Sequence, residues 1–193
     1  AQPVAMVLSK CVTALNSKDE TTQIGAVQAL QGVAAPETNA PLLALANSTT
    51  NSETLRVAAI KALGFEGNEG VVNALITLMA TPNTELLGST ASASLTAIGA
   101  KAIPALTAVL QKGEETTSFH AALALGRMGA KALPALEQVA KGNNLNAQRW
   151  SATALGEMGV AETTPILKQL ASSSDGDVSY VAKEQLHRNG QNQ

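Results

Sequence analysis

The side chains able to do chemistry are few in this chain and stand apart. His120 and His187 are its two histidines and Cys11 its one cysteine. A zinc or transition-metal centre gathers several His, Cys, Asp or Glu ligands around one point. Yet His120 has no acid or cysteine three or four residues further on. Cys11 sits among Met6, Val7, Leu8 and Leu15, which reads as a small buried hydrophobe rather than a nucleophile. Gly64-Phe65-Glu66-Gly67-Asn68-Glu69-Gly70 is glycine-rich but follows a helical pattern, so it reads as a turn and not a phosphate cradle. Asp175-Gly176-Asp177 lacks the ligand ladder of a calcium loop and reads as the N-cap of a last helix. Asn47-Ser48-Thr49 spells a glycosylation sequon, used only in a eukaryotic secretory setting. No dinucleotide fingerprint, P-loop, HExxH or GxSxG occurs. The expectation is a protein with no catalytic residues, no metal and no cofactor.

Composition narrows the partner class. Among 193 residues, 45% are apolar, 2% aromatic and 15% charged, with a net charge of -2. That is enough apolar material for a core. It lacks the clustered Lys and Arg that neutralise phosphates, so nucleic acid is not expected. No contiguous apolar run approaches the roughly 20 residues of a membrane span.

What must position any site is a repeat. Leu30, Leu63, Leu95, Leu125, Leu155 and Leu186 recur at gaps of 33, 32, 30, 30 and 31 residues, the period of a helical array. Four residues before each anchor stands Ala26, Ala59, Ala91, Ala121, Ser151 or Ala182, and four after it Ala34, Gly67, Gly99, Gly129, Gly159 or Gly190. The small residue admits a neighbouring helix closely, and the trailing glycine stops the helix. Each anchor thus marks one helix, A. A second helix, B, follows about ten residues later, opened by Pro41, Pro104, Pro134 or Pro165 in its first turn, or by Asn73 in the second repeat. Ser17 with Glu20 has capping-box spacing, Ser52 caps the next A helix, and Thr81-Pro82-Asn83 and residues 172–177 punctuate later links. The fold class expected is all-α: a single domain over 1–193 forming an α/α superhelical solenoid. It comprises an N-terminal helix in 1–18, five helix pairs over 19–175, and a capping helix with tail in 176–193.

The stretch from Ala121 to Gly142, AALALGRMGAKALPALEQVAKG, and LRVAAIKALG from Leu55 to Gly64 resemble the short HEAT-like repeats of the phycobilisome-lyase type. The resemblance spans most of residues 19–190. It implies the solenoid fold and, for some relatives, bilin handling; Arg149 with Lys168 would be the cationic pair for tetrapyrrole propionates. Some HEAT-type oxygenases hold two irons through His-Glu dipeptides, and this chain has none. The early Arg of the motif is Arg56, with Arg149, one position on, as its loose counterpart.

Arrays of this kind bind along extended faces. On the B helices the outward positions after the leucine are Ala44, Ile76, Thr107, Glu137 and Lys168, then Leu45, Thr77, Ala108, Gln138 and Gln169. Their lining carries no strip of one charge, which suits a polypeptide on the concave B-helix face. On the A helices, the position five before the anchor lies about 140° from the anchor direction and carries His120 and Trp150. Both are therefore expected on the outer side near Leu123, as a hot spot or as packing in a groove between repeats. Phe119, Arg149 and Tyr180 are expected at the core edge. Three readings follow: a non-catalytic scaffold for a protein or peptide, a bilin lyase or chromophore-handling protein, and a structural module of a larger exported chain. Ala1 without Met fits a removed targeting segment or excision from a longer chain. An uncovered first helix could self-associate.

Overall fold

The computed structural model describes residues 2–65, 67–80 and 84–191, with side chains over 4–65, 67–80 and 84–190. Among the described residues there is no strand. Within the described residues twelve α-helices succeed one another: α1 (Gln2–Leu15), α2 (Glu20–Leu30), α3 (Pro36–Asn47), α4 (Glu53–Leu63), α5 (Glu69–Ala80), α6 (Glu85–Ile98), α7 (Ile103–Lys112), α8 (Glu115–Arg127), α9 (Leu133–Lys141), α10 (Leu145–Met158), α11 (Thr164–Ala171) and α12 (Gly176–Gln191). The even-numbered helices carry the six anchors and are the A helices; the odd-numbered ones are the B helices. Five A–B pairs with one extra helix at each end are present, as the spacing predicts. By packing, however, each B helix lies most extensively against the A helix that follows it. The terminal helices are therefore not lone: α1 pairs with α2 and α12 with α11. The chain groups into two compact units, residues 1–98 and 99–193, each a short α/α solenoid of three such hairpins.

Burial confirms the register. Leu30, Leu63, Leu95, Leu125 and Leu155 are at most 2% exposed, and the small residues four positions earlier at most 6%. Leu186, on the last helix, is half-buried. Full burial of a leucine is worth about 1.5–3 kcal/mol, so the anchors supply a regular share of the core in every hairpin. The closest helix approach falls one residue after the anchor. A Cβ at Gly126 would meet the Ala154 carbonyl oxygen at 2.7 Å, and one at Gly64 would meet the Ser94 Cα at 3.2 Å. The Gly of Ala-Leu-Gly therefore lets one A helix rest on the backbone of the next.

A second regularity lies seven residues before the anchor, where in five of the six A helices a polar side chain donates to the carbonyl end of the preceding B helix, Gly88 holding the position on α6. Gln23 reaches Leu15 O at 3.2 Å, Arg56 Nε reaches Ala46 O at 2.9 Å, and Ser118 reaches Val109 O at 3.3 Å. Gln148 reaches Ala140 O at 3.2 Å and Gly142 O at 2.7 Å, and Ser179 reaches Ala171 O at 2.8 Å. These bonds satisfy carbonyls that a helix C-terminus leaves open. The counterpart of Arg56 is thus Gln148, not Arg149.

Local chemistry departs from the sequence reading at several points. Asp19, not Ser17, caps α2, accepting from Thr22 N at 2.8 Å, while Ser17 accepts from Asp19 N. Ser52 caps α4 as expected and also donates to Glu20; Asp175 caps α12 through Val178 N. α3 starts at Pro36, leaving Pro41 inside the helix, so its register is set by Leu42, and Leu45 is buried rather than outward. Gly99, Gly129 and Gly159 take positive φ as expected. In the first repeat that role falls to Gly32, and α12 runs through Gly190. Thr81-Pro82-Asn83 lies outside the described residues.

Residues 85–112 reach the length and mean hydropathy, 1.5, that crossing a bilayer requires, which a search for contiguous apolar runs does not register. The segment is broken at left-handed Gly99 and a 3-10 turn over Gly99–Ala102 into helices of 14 and 10 residues. Neither reaches the roughly 20 residues of a spanning helix.

Candidate functional site

The outward B positions stand where the pattern puts them, apart from Leu45. In the first unit Ile76 is half-buried and Thr77 exposed on α5, the Thr77 hydroxyl donating to Asn73 O at 3.1 Å. In the second unit Thr107 on α7 and Glu137 on α9 are half-buried, and Gln138, Lys168 and Gln169 are exposed. Thr107 donates to Ile103 O at 2.7 Å, and Glu137 pairs with Lys141 at 2.7 Å along its own helix.

Two of these residues converge. A groove of 490 Å³ runs between α7 and α9, with Thr107 and Gln138 on its sides and Ile103, Pro104, Ala135 and Val139 as its apolar floor. Gln111, Asn143 and Asn144 close one end. No charged side chain lines it. Lys168 and Gln169 are not brought into it. The fork of amides and hydroxyls over a small-residue floor can exchange hydrogen bonds with main-chain amides while admitting small apolar side chains. Asn144 is fixed in place: its Oδ1 accepts from Ala147 N at 2.9 Å as the cap of α10, and its Nδ2 donates to Gln111 O at 3.2 Å. Gln111 and the Asn143-Asn144 pair were not among the sequence candidates; the signal for them was an asparagine-rich link one turn beyond Gln138.

In the A-helix cluster Trp150 is 8% and His120 6% exposed, so the outward direction is corrected for both, while the packing of Trp150 between adjacent repeats holds. Phe119 meets Trp150 edge-on with centroids 6.4 Å apart and lies 5.7 Å from the His120 ring; the Arg149 guanidinium stacks 4.9 Å over the indole. Leu123 is half-buried. Conversely Phe119 and Tyr180, expected at the core edge, are 43% and 66% exposed. The reason is the breadth of burial. On α8 the buried residues, from His120 round to Gly126, cover an arc of roughly 240°, because the helix packs on more than one neighbour. The position five before the anchor falls inside that arc, and the one six before it falls outside. Arg149 is engaged with Trp150 and Asn146, and Lys168 is exposed on α11. Cys11 is half-buried rather than enclosed. Among the described residues no group of three or more His, Cys, Asp or Glu is placed to hold a metal.

Helix pairs repeating on a fixed period define a repeat protein of the α/α class. The family model for HEAT repeats matches residues 8–96 and 103–187, and the chain belongs to that family. Among solved structures it is similar to the complex of CpcE and CpcF of phycocyanin lyase from Nostoc sp. PCC7120, at 19% identity over 93% of this chain and 86% of that one, TM-score 0.46. It is also similar to a designed armadillo repeat protein, at 19% identity over 94% and 99% with TM-score 0.45, and to human deoxyhypusine hydroxylase, at 15% identity over 95% and 84% with TM-score 0.42. No curated protein matches it.

Proposed function

We propose that this chain is a non-catalytic scaffold that binds a polypeptide on its B-helix face. The observation that carries the reading is the uncharged groove between α7 and α9, where Thr107 and Gln138 stand over an apolar floor. An occupant with a formal charge would lose hydration without gaining an ion pair there. An extended, uncharged stretch of main chain would find donors and acceptors on both sides. Lys168 and Gln169, exposed on α11, extend the same B-helix face beyond the groove with polar groups.

The triple variant Glu137→Ala, Gln138→Ala, Lys168→Ala should lose a native polypeptide partner in affinity capture while its helical melting curve stays within a few degrees of the parent. Equal capture by parent and variant would remove this face from consideration. A coloured covalent adduct on coexpression with a bilin and an apoprotein acceptor would instead replace the scaffold reading with lyase activity.

A further inference from the structure

On the first hairpin, α1 and α2 leave an apolar groove of 320 Å³. Among its walls are register positions that the next hairpin buries. Leu15 accepts from Gln23 as Ala46 accepts from Arg56 and Ala171 from Ser179, which aligns Val7, Leu8 and Cys11 with Thr38, Asn39 and Leu42 of α3. Those three are at most 9% exposed; Val7 is 62% exposed, and Leu8 and Cys11 are half-buried. On α2, Ala29 stands directly before its anchor. The same position holds Ser94, which a Cβ on Gly64 would crowd, and Ala154 and Gln185, which Cβ atoms on Gly126 and Gly156 would crowd. Both of the latter and Ser94 are buried, whereas Ala29 is exposed.

We infer that this groove is the seat of an A-type helix from outside these 193 residues, carrying a small residue, a leucine four positions on, and a glycine next to it. Continuity with the repeat interface specifies that occupant: the leucine covers Val7, Leu8 and Cys11, and the glycine rests on Ala29. A second copy has no such helix to offer. The anchors of its first five A helices are already buried, and α12 has His187 where the glycine must be. This surface is separate from the α7–α9 groove, and its test does not depend on that reading.

Cys11, the single thiol, lines the groove and reports its occupancy. A synthetic peptide copying residues 144–159, stapled between positions 149 and 153 to hold it helical, is titrated into the full chain while alkylation of Cys11 is followed. The expected result is a saturable slowing of about tenfold or more, as the thiol loses access. The slowing should vanish for the peptide bearing Leu155→Asp and, with the parent peptide, for the chain bearing Val7→Asp, an exposed site whose circular dichroism should be unchanged. Alkylation indifferent to the peptide overturns the inference. So does protection that grows with protein concentration alone alongside a doubled mass in light scattering, which would give the face to a second copy.

Discussion

Individual residues in this fold are interchangeable by chemistry only where their surroundings agree, and its glycines show the difference most sharply. Gly25 lies inside α2 and a Cβ there would meet nothing within 4 Å, whereas at Gly126 it would meet the Ala154 carbonyl oxygen at 2.7 Å. Alanine in an exposed helix interior favours folding by about 1 kcal/mol over glycine; overpacking a tight contact costs about 1–3 kcal/mol. Gly25→Ala should therefore raise the melting temperature and Gly126→Ala should lower it, in parallel thermal denaturations. The capping position seven before the anchor gives a second contrast. Arg56, 7% exposed, directs its charge at the carbonyl end of α3, where cations are favoured by the helix dipole. Gln148 makes neutral bonds to Ala140 and Gly142. Arg56→Ala should cost about 2–3 kcal/mol and Gln148→Ala about 1 kcal/mol in urea unfolding, and equal losses would deny the charge a role.

At the scale of helices, what sequence could reveal was set by period and what it could not by direction. Leucine spacing located every A helix, and the glycines four residues past the anchor stop three of them with positive φ. Ala-Leu-Gly marked the helices correctly, yet its glycine also turned out to be the point of A-to-A contact, which no single-helix pattern discloses. The outward direction counted for Trp150 and His120 failed because a helical wheel fixes angle but not the width of the buried arc, which depends on how many neighbours a helix has; the packing of Trp150 between repeats was legible. The α7–α9 groove was half legible: Thr107 and Gln138 follow from counting, whereas Gln111 and Asn143 enter it only through the pairing of B helices. Capping was legible as chemistry but not as position, since Ser17 and Asp19 both suit an N-cap. The Asp19 carboxylate is held below its usual pKa by the hydrogen bond from the Thr22 hydroxyl and then by that from the Thr22 amide. A lowered folded-state pKa means this contribution is complete above the unfolded carboxylate value, about 3.9, and is lost as pH falls through the lower folded value. The protection factor of the Thr22 amide, taken relative to intrinsic exchange at each pH, should accordingly fall as that acidic window is crossed, and Asp19→Asn, which cannot titrate, should leave it independent of pH there.

For the whole molecule, a solenoid built from nearest-neighbour contacts should not unfold as one body. Each hairpin is stabilised by its own interior and by the hairpins beside it, so stability differs between a fully flanked hairpin and one with an open face. The first hairpin has such a face: Val4, Met6 and Val7 of α1 are 74%, 59% and 62% exposed, so this helix gains little from burial. In the other unit Trp150 is 8% exposed and packed by Phe119 and Arg149. The sequence places one reporter in each unit, Cys11 in 1–98 and Trp150 in 99–193. In a urea titration Cys11 should become freely alkylated at a lower concentration than the one at which Trp150 fluorescence shifts, with the two midpoints resolved. Local opening of weakly buried helices below the global transition is the physical basis. Occupying the α1–α2 groove with the stapled helix should move the Cys11 midpoint toward that of Trp150, by the stabilisation any ligand confers on the state it binds. Coincident midpoints in the free chain would show a single cooperative body and remove the basis for treating the first hairpin as its weakest part.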